Sequence, residues 1–148
     1  MRLPTGLLFL AAVWNGPPGV AQPARPNVLM IAVDDLRPEL GCYGNAIVKS
    51  PNIDALASRA TLFERAYCQQ AVCGPTRASL LSGCRPDSTR VCDNLTDLRA
   101  ALPEIATLPG HFKENGYRAV SLSKVFHNGF EDAPRSWSDP PWYPRAPH

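Results

Sequence analysis

The chain has 148 residues, 45% of them hydrophobic, 19% charged and 8% aromatic, which places it among ordinary globular proteins and excludes a disordered chain. Fifteen basic and thirteen acidic side chains leave a formal net charge of +2 with no run of like charges, so the electrostatic footprint of a nucleic-acid-binding protein is absent. One domain is the expectation at this length.

Met1 and Arg2 lead into LPTGLLFLAAVW, an apolar run too short to span a bilayer, which takes about 20 apolar residues. Gly19, Val20 and Ala21 form a small-residue site before Gln22, so residues 1–21 are read as a secretory signal peptide cleaved after Ala21. Pro17 and Pro18 would end a packed N-terminal helix abruptly. No cysteine follows the run, so no membrane anchor is expected, and the mature part, 22–148, is placed in a secreted or periplasmic compartment. Export permits disulfides, yet the five cysteines (Cys42, Cys68, Cys73, Cys84, Cys92) are odd in number and contain neither a C-x-x-C pair nor zinc-finger spacing with histidine.

NVLMIAVDD, residues 27–35, is an unbroken aliphatic run and predicts a strand buried on both faces of a parallel sheet. Asp34 and Asp35 then stand at its C-terminal end, where open α/β sheets bind ligands. Adjacent acids are either solvated or share a cation. As hard oxygen donors they suit calcium or magnesium, although two carboxylates alone underfill such a shell. Ser50 as N-cap and Pro51 at the first helical position predict a helix over 51–60 in which Ile53, Leu56 and Ala57 recur at helical spacing. TLFERAYC, 61–68, reads as a second strand. A helix beginning at or just before Cys73 follows, with Pro75 in its first turn, Ala78, Leu80 and Leu81 inward and Gly83 as its stop. Thr107 caps a further helix that ends at Gly116, and YRAVSLSKVFH, 117–127, returns as a strand with Lys124 and His127 at its exit. The order β, α, β, α, α, β implies a layered α/β architecture. His111 and His148 are read as structural or surface residues. From Glu131 to His148 the chain is rich in proline and aromatics, and Trp137, Trp142 and Tyr143 call for burial, so this stretch is read as a connection packing onto parts beyond the chain.

Cys73 has two readings from the residues alone. It is a buried small hydrophobe, or it uses the positive end of a helix, with Arg77 one turn away, as a lowered-pKa thiol or an oxyanion holder. Lys124 and His127 are equally compatible with solvated and catalytic roles.

The segment Cys73-Gly-Pro-Thr-Arg77-Ala-Ser-Leu-Leu-Ser-Gly83-Cys-Arg-Pro86 resembles the signature of the type I sulfatases, C-x-P-[ST/A]-R followed by an apolar pair and Thr/Ser-Gly. NVLMIAVDDLRPELGCYG, SPNIDALA, CRPDSTR, FKENGY and KVFH are similar to the iduronate-2-sulfatase branch, and together these stretches cover nearly all of the mature segment. Thr76 and Ser82 stand where serine or alanine, and threonine, are commoner. The resemblance implies an alkaline-phosphatase-like α/β sandwich with a central mixed, largely parallel sheet flanked by helices, of which this chain carries the N-terminal part.

The same resemblance implies the chemistry. A maturation enzyme reads Cys-x-Pro-x-Arg and oxidises Cys73 to Cα-formylglycine, whose hydrate attacks the sulfur of a sulfate ester and later expels sulfate. Asp34, Asp35 and residue 73 resemble ligands of one calcium ion. Arg77 is implied to stabilise the diol and carboxylate shell, Lys124 to bind sulfate, and His127 to take the proton that triggers sulfate release. The implied substrates are sulfated sugars such as glycosaminoglycan or algal polysaccharide units. A phosphonate or phosphate ester hydrolase with the same nucleophile, and a non-catalytic remnant lacking downstream ligands, are the alternatives. With Cys73 consumed, the other four cysteines allow two disulfides in three pairings.

Overall fold

Proline and glycine set most helix boundaries in this chain. The computed structural model describes residues 25–127 and 131–144, so the expected signal peptide and His148 lie outside the described residues. The chain divides into two units at Ile31. Of the first, residues 25–31 are described: they form no helix or strand and are exposed, Leu29 and Ile31 among them.

The second unit, from Ala32, opens with a 3-10 turn, Gly41–Tyr43, followed by helix α1, Pro51–Ala57. Pro51 begins α1 as expected, but Ser50 at the N-cap position does not cap the helix. Its hydroxyl donates to Asp54 Oδ1 at 3.0 Å and accepts the Gly41 N–H at 2.9 Å, while the Cys42 N–H donates to the same Asp54 oxygen at 2.7 Å. The turn and α1 are thus stitched by side chains. A Cβ at Gly41 would press on the Asp54 carboxylate, so a larger residue there would displace the side chain that joins the turn to α1. Ile53 and Leu56, at helical spacing on α1, are exposed.

Helix α2 spans Cys73–Ser82 and ends where Gly83 turns left-handed at φ 69°, a conformation that costs glycine nothing. Short helices α3, Pro86–Thr89, and α4, Leu98–Ala101, follow, and α5 runs over Leu108–Glu114. Thr107 caps α5 as expected, its hydroxyl accepting the Gly110 N–H. The core joins Ala78 and Leu81 of α2 to Val91, Leu98, Phe126 and Trp137, with α2 packed on α3 and α5. Leu80, expected to point inward, is half exposed.

Three expectations are not met among the described residues. The segments 27–35, 61–68 and 117–127 are not strands: among the described residues the sole bridge is the parallel pair Leu122 and Trp142. A parallel strand takes its stability from ladder bonds to distant neighbours, and aliphatic sequence does not supply them. Trp137, read as packing beyond the chain, is buried within it, edge-to-face against Phe126 at 6.2 Å. The stretch from Glu131 is sewn back: the Lys113 ammonium donates to the Trp137 carbonyl at 2.8 Å, and Ser138 N–H to the Ala119 carbonyl at 2.8 Å. Trp142 and Tyr143 remain largely exposed. All five cysteines are free thiols, so neither disulfide is formed.

Candidate active site

Cys73 is the first residue of α2. The helix starts there because Val72 is extended, at φ −140° and ψ 140°, and its carbonyl accepts the Thr76 N–H at 3.0 Å. No local side chain caps this end. Instead Asn94 Oδ1, twenty positions on, accepts the Gly74 N–H at 2.8 Å, satisfying an amide that the helix leaves without a partner. The approach is tight, since a Cβ on Gly74 would lie 2.6 Å from the Asp93 carbonyl. The Gln70 side-chain amide donates to the Cys92 carbonyl at 2.8 Å, and the Thr76 hydroxyl donates to the Gln70 carbonyl, so the entry to α2 is tied to the Cys92–Asn94 loop.

Arg77, one turn into α2, is 7% exposed and fully engaged. Its Nη1 donates to the carbonyls of Lys124 and Val125, both at 2.9 Å, and Nη2 to Asp34 Oδ1 at 3.0 Å. Lys124 Nζ closes on the other Asp34 oxygen at 2.6 Å. The Lys124 ammonium first, then the Arg77 guanidinium and a weaker contact with the Cys73 thiol, hold the Asp34 carboxyl well below the usual carboxylate range. Asp35, left-handed at φ 52°, has no hydrogen-bond or ion-pair partner among the described residues. Its carboxylate, that of Asp34 and the Cys73 sulfur each offer an atom within 4.8 Å of the others.

That donor set discriminates between metals. Two carboxylates suit a hard cation, but a thiol does not, whereas an oxygen in place of the sulfur would complete three hard donors of the six to eight that calcium takes. The two carboxylates therefore fit a hard cation such as calcium, and would do so better with an oxygen in place of the sulfur at residue 73.

Five of the six residues singled out in the sequence, Asp34, Asp35, Cys73, Arg77 and Lys124, thus meet at one place. His127 is not bonded to them. It lines a cavity of about 210 Å³ together with Gly74, Ala78, Phe126 and Glu131, and its Nδ1 is buried without a partner among the described residues. His111 lies on the exposed side of α5 beside Asn115, as expected of a surface residue. Two contributors escaped the sequence reading, Asn94 and Glu131. Asn94 looks like any turn residue in CDNLTD, and Glu131 stands at the start of the proline-rich stretch.

The family model described as Sulfatase matches residues 26–142. An iduronate 2-sulfatase of Homo sapiens is 54% identical over 125 residues, which are 81% of this chain and 23% of that protein. An iduronate 2-sulfatase of Mus musculus is 48% identical over 143 residues, 93% of this chain and 26% of that protein. A choline-sulfatase of Rhizobium meliloti (strain 1021) is 35% identical over 106 residues, 71% of this chain and 20% of that protein. The chain spans about a quarter of the length of the two iduronate 2-sulfatases it matches.

Proposed function

Because the chain belongs to the sulfatase family, we propose that it is the nucleophile-bearing part of a sulfuric ester hydrolase that removes sulfate from sulfated sugars of the iduronate 2-sulfate kind. The observation that carries this reading is the Asp34 carboxylate held between Arg77 and Lys124 beside the Cys73 side chain. The family implies an α/β fold of the alkaline-phosphatase type, and the exposed aliphatic side chains of 28–33 support reading that segment as a central strand once neighbours cover it.

Residue 73 acts as formylglycine, whose hydrate supplies an oxygen nucleophile and a second hydroxyl for sulfate release. A calcium ion would be held by Asp34, Asp35 and that oxygen with further ligands, and would supply Lewis-acid polarisation of sulfate oxygens. The other side chains have separate tasks. Arg77 is permanently charged and fixed by three acceptors, so it orients Asp34 without entering the reaction. Lys124 is 39% exposed while its ammonium is bound to Asp34, which leaves it open to balance charge that grows on sulfate oxygens in the transition state. His127, on the cavity wall shared with Gly74, carries a ring nitrogen with no partner among the described residues and takes the proton that residue 73 gives up as sulfate leaves.

The maturation partner is an enzyme that converts Cys73 through the Cys73–Arg77 segment, and the compartment is secreted or periplasmic. No helix among the described residues is long and apolar enough to cross a membrane. The test is mass spectrometry of the tryptic peptide carrying Cys73, from protein made in a host with the maturation enzyme. A mass about 18 Da below the thiol form, the signature of thiol exchanged for aldehyde, is expected. An intact thiol in such a host would overturn the hydrolase reading.

A further inference from the structure

Glu131 carries a carboxylate yet is 1% exposed. A charge-bearing group at that depth needs specific partners. Its Oε1 accepts the Val125 N–H at 3.0 Å, and its Oε2 accepts the Val125 and Phe126 N–H groups at 3.1 and 2.8 Å. On the opposite edge of the same two peptide units, Arg77 Nη1 donates to the carbonyls of Lys124 and Val125. The peptide groups joining Lys124 to Val125 and Val125 to Phe126 are therefore gripped on both sides, their carbonyls by a cation and their amides by an anion.

We propose that Glu131 is a positioning residue: with Arg77 it forms a charge-complementary clamp on the two peptide units between Lys124 and Phe126, and so sets where Lys124 and His127 stand. The inference rests on the hydrolase reading for the roles of those two side chains, but the clamp itself is a matter of geometry.

Glu131 is itself anchored. The Trp137 indole N–H donates to its carbonyl, and the next residue, Asp132, takes the Arg99 guanidinium in a two-pronged pair at 2.7 Å on each prong. Glu131 and Asp132 are both left-handed, at φ 37° and 52°, a conformation that non-glycine residues keep only when their surroundings impose it. The carboxylate also bears on Tyr143: burial first, then the Glu131 charge and a hydrogen bond to it, push the tyrosine phenol up. Lys124 and His127 flank the clamped pair directly, so a shift of these peptide planes moves both side chains together. Charge-assisted bonds to backbone amides are well suited to holding a loop in this way.

The test uses protein expressed from its complete reading frame with Cys73 converted, comparing E131D, which keeps the charge but shortens the reach, with E131Q, which keeps the reach but loses the charge. Steady-state hydrolysis of a 2-sulfated iduronic acid disaccharide and amide exchange at Val125 and Phe126 are measured side by side. The clamp predicts that E131D loses about 100-fold in kcat/KM, since catalytic groups displaced by an ångström lose that much, and that E131Q loses about tenfold, because its amide nitrogen cannot accept the N–H that a carboxylate oxygen takes and the charge that strengthens these bonds is gone. Exchange at Val125 and Phe126 rises at least about tenfold in E131D and measurably in E131Q, while Leu81 and Val91 stay protected in both. E131D with wild-type activity and exchange overturns the proposal. So does exchange that rises equally at Leu81 and Val91, because Glu131 then supports the whole core rather than this segment. If the unaltered protein releases no sulfate, the hydrolase reading fails, and the exchange result alone decides whether Glu131 holds the segment.

Discussion

Asp34 Oδ1 and Arg77 Nη2 lie 3.0 Å apart across 43 positions of sequence, joining the end of an extended segment to the first turns of the helix that begins at Cys73. The same guanidinium reaches two carbonyls near Lys124, so one side chain fixes the relation of three segments. Arg77→Lys replaces this fork by a single ammonium that cannot serve all three acceptors. We expect kcat/KM to fall about 100-fold through misplacement of the site, and urea unfolding to show a loss of about 1–3 kcal/mol from buried carbonyls left without donors. A lysine variant with wild-type turnover would show that the fork is dispensable.

The entry to α2 is the second target. Asn94→Ala removes the acceptor for the Gly74 amide and should cost about 0.5–2 kcal/mol, the range of a lost helix cap. Gly74→Ala drives a Cβ against the Asp93 carbonyl and should cost about 1–3 kcal/mol, as overpacking does. Thermal melts of both variants measure this. Equal melting temperatures for wild type and Gly74→Ala would mean that the Cys92–Asn94 loop moves away freely.

Asp93 gives this loop a pH dependence. Its carboxylate accepts the Leu95 and Thr96 amides at 2.9 and 2.8 Å, and these bonds hold its carboxyl below the usual value. A depressed carboxyl contributes stability above its unfolded value, about 3.9, and loses that contribution as pH falls through the folded one. The melting-temperature gap between wild type and Asp93→Ala should be constant above about pH 5 and shrink below about pH 4. A gap that widens on acidification contradicts the assignment.

Trp137 buries its ring against Phe126, the neighbour of His127. Trp137→Ala should cost about 3–5 kcal/mol, enough to unfold a domain of marginal stability. Trp137→Phe keeps an aromatic ring and should retain folding by circular dichroism, with activity reduced through the loosened Phe126.

Asp35 has no protein partner among the described residues, so Asp35→Ala should cost the calcium-free protein only about 1 kcal/mol, the strain of alanine at a left-handed φ of 52°. Isothermal titration with calcium, on converted protein from the complete reading frame, should show affinity reduced at least about tenfold, as one hard ligand is lost. Undiminished calcium affinity would remove Asp35 from the shell.

Local chemistry was readable in the sequence. Gly83 stops α2, Thr107 caps α5, and Arg77 lies one turn from Cys73, because each follows from spacings of a few residues. The meeting of Lys124 with Asp34, ninety positions apart, came only through the family resemblance, since periodicity carries no tertiary contact. Asn94 and Glu131 were missed for that reason: each looks like a polar turn residue until its partner is known. Strand-like composition at 27–35 and 117–127 was read as ladder formation, but a strand is a property of its neighbours as much as of its residues.

Trp137 and Trp142 sit five positions apart in opposite surroundings, one buried against Phe126 and the other more than half exposed on the bridge to Leu122. The protein therefore carries two optical reporters on one short stretch. Emission from Trp137 lies to the blue and escapes acrylamide, while that from Trp142 lies to the red and is quenched. With the third tryptophan, Trp14, replaced by phenylalanine, loosening of the segment next to His127 is thereby distinguishable by colour from detachment of the C-terminal stretch.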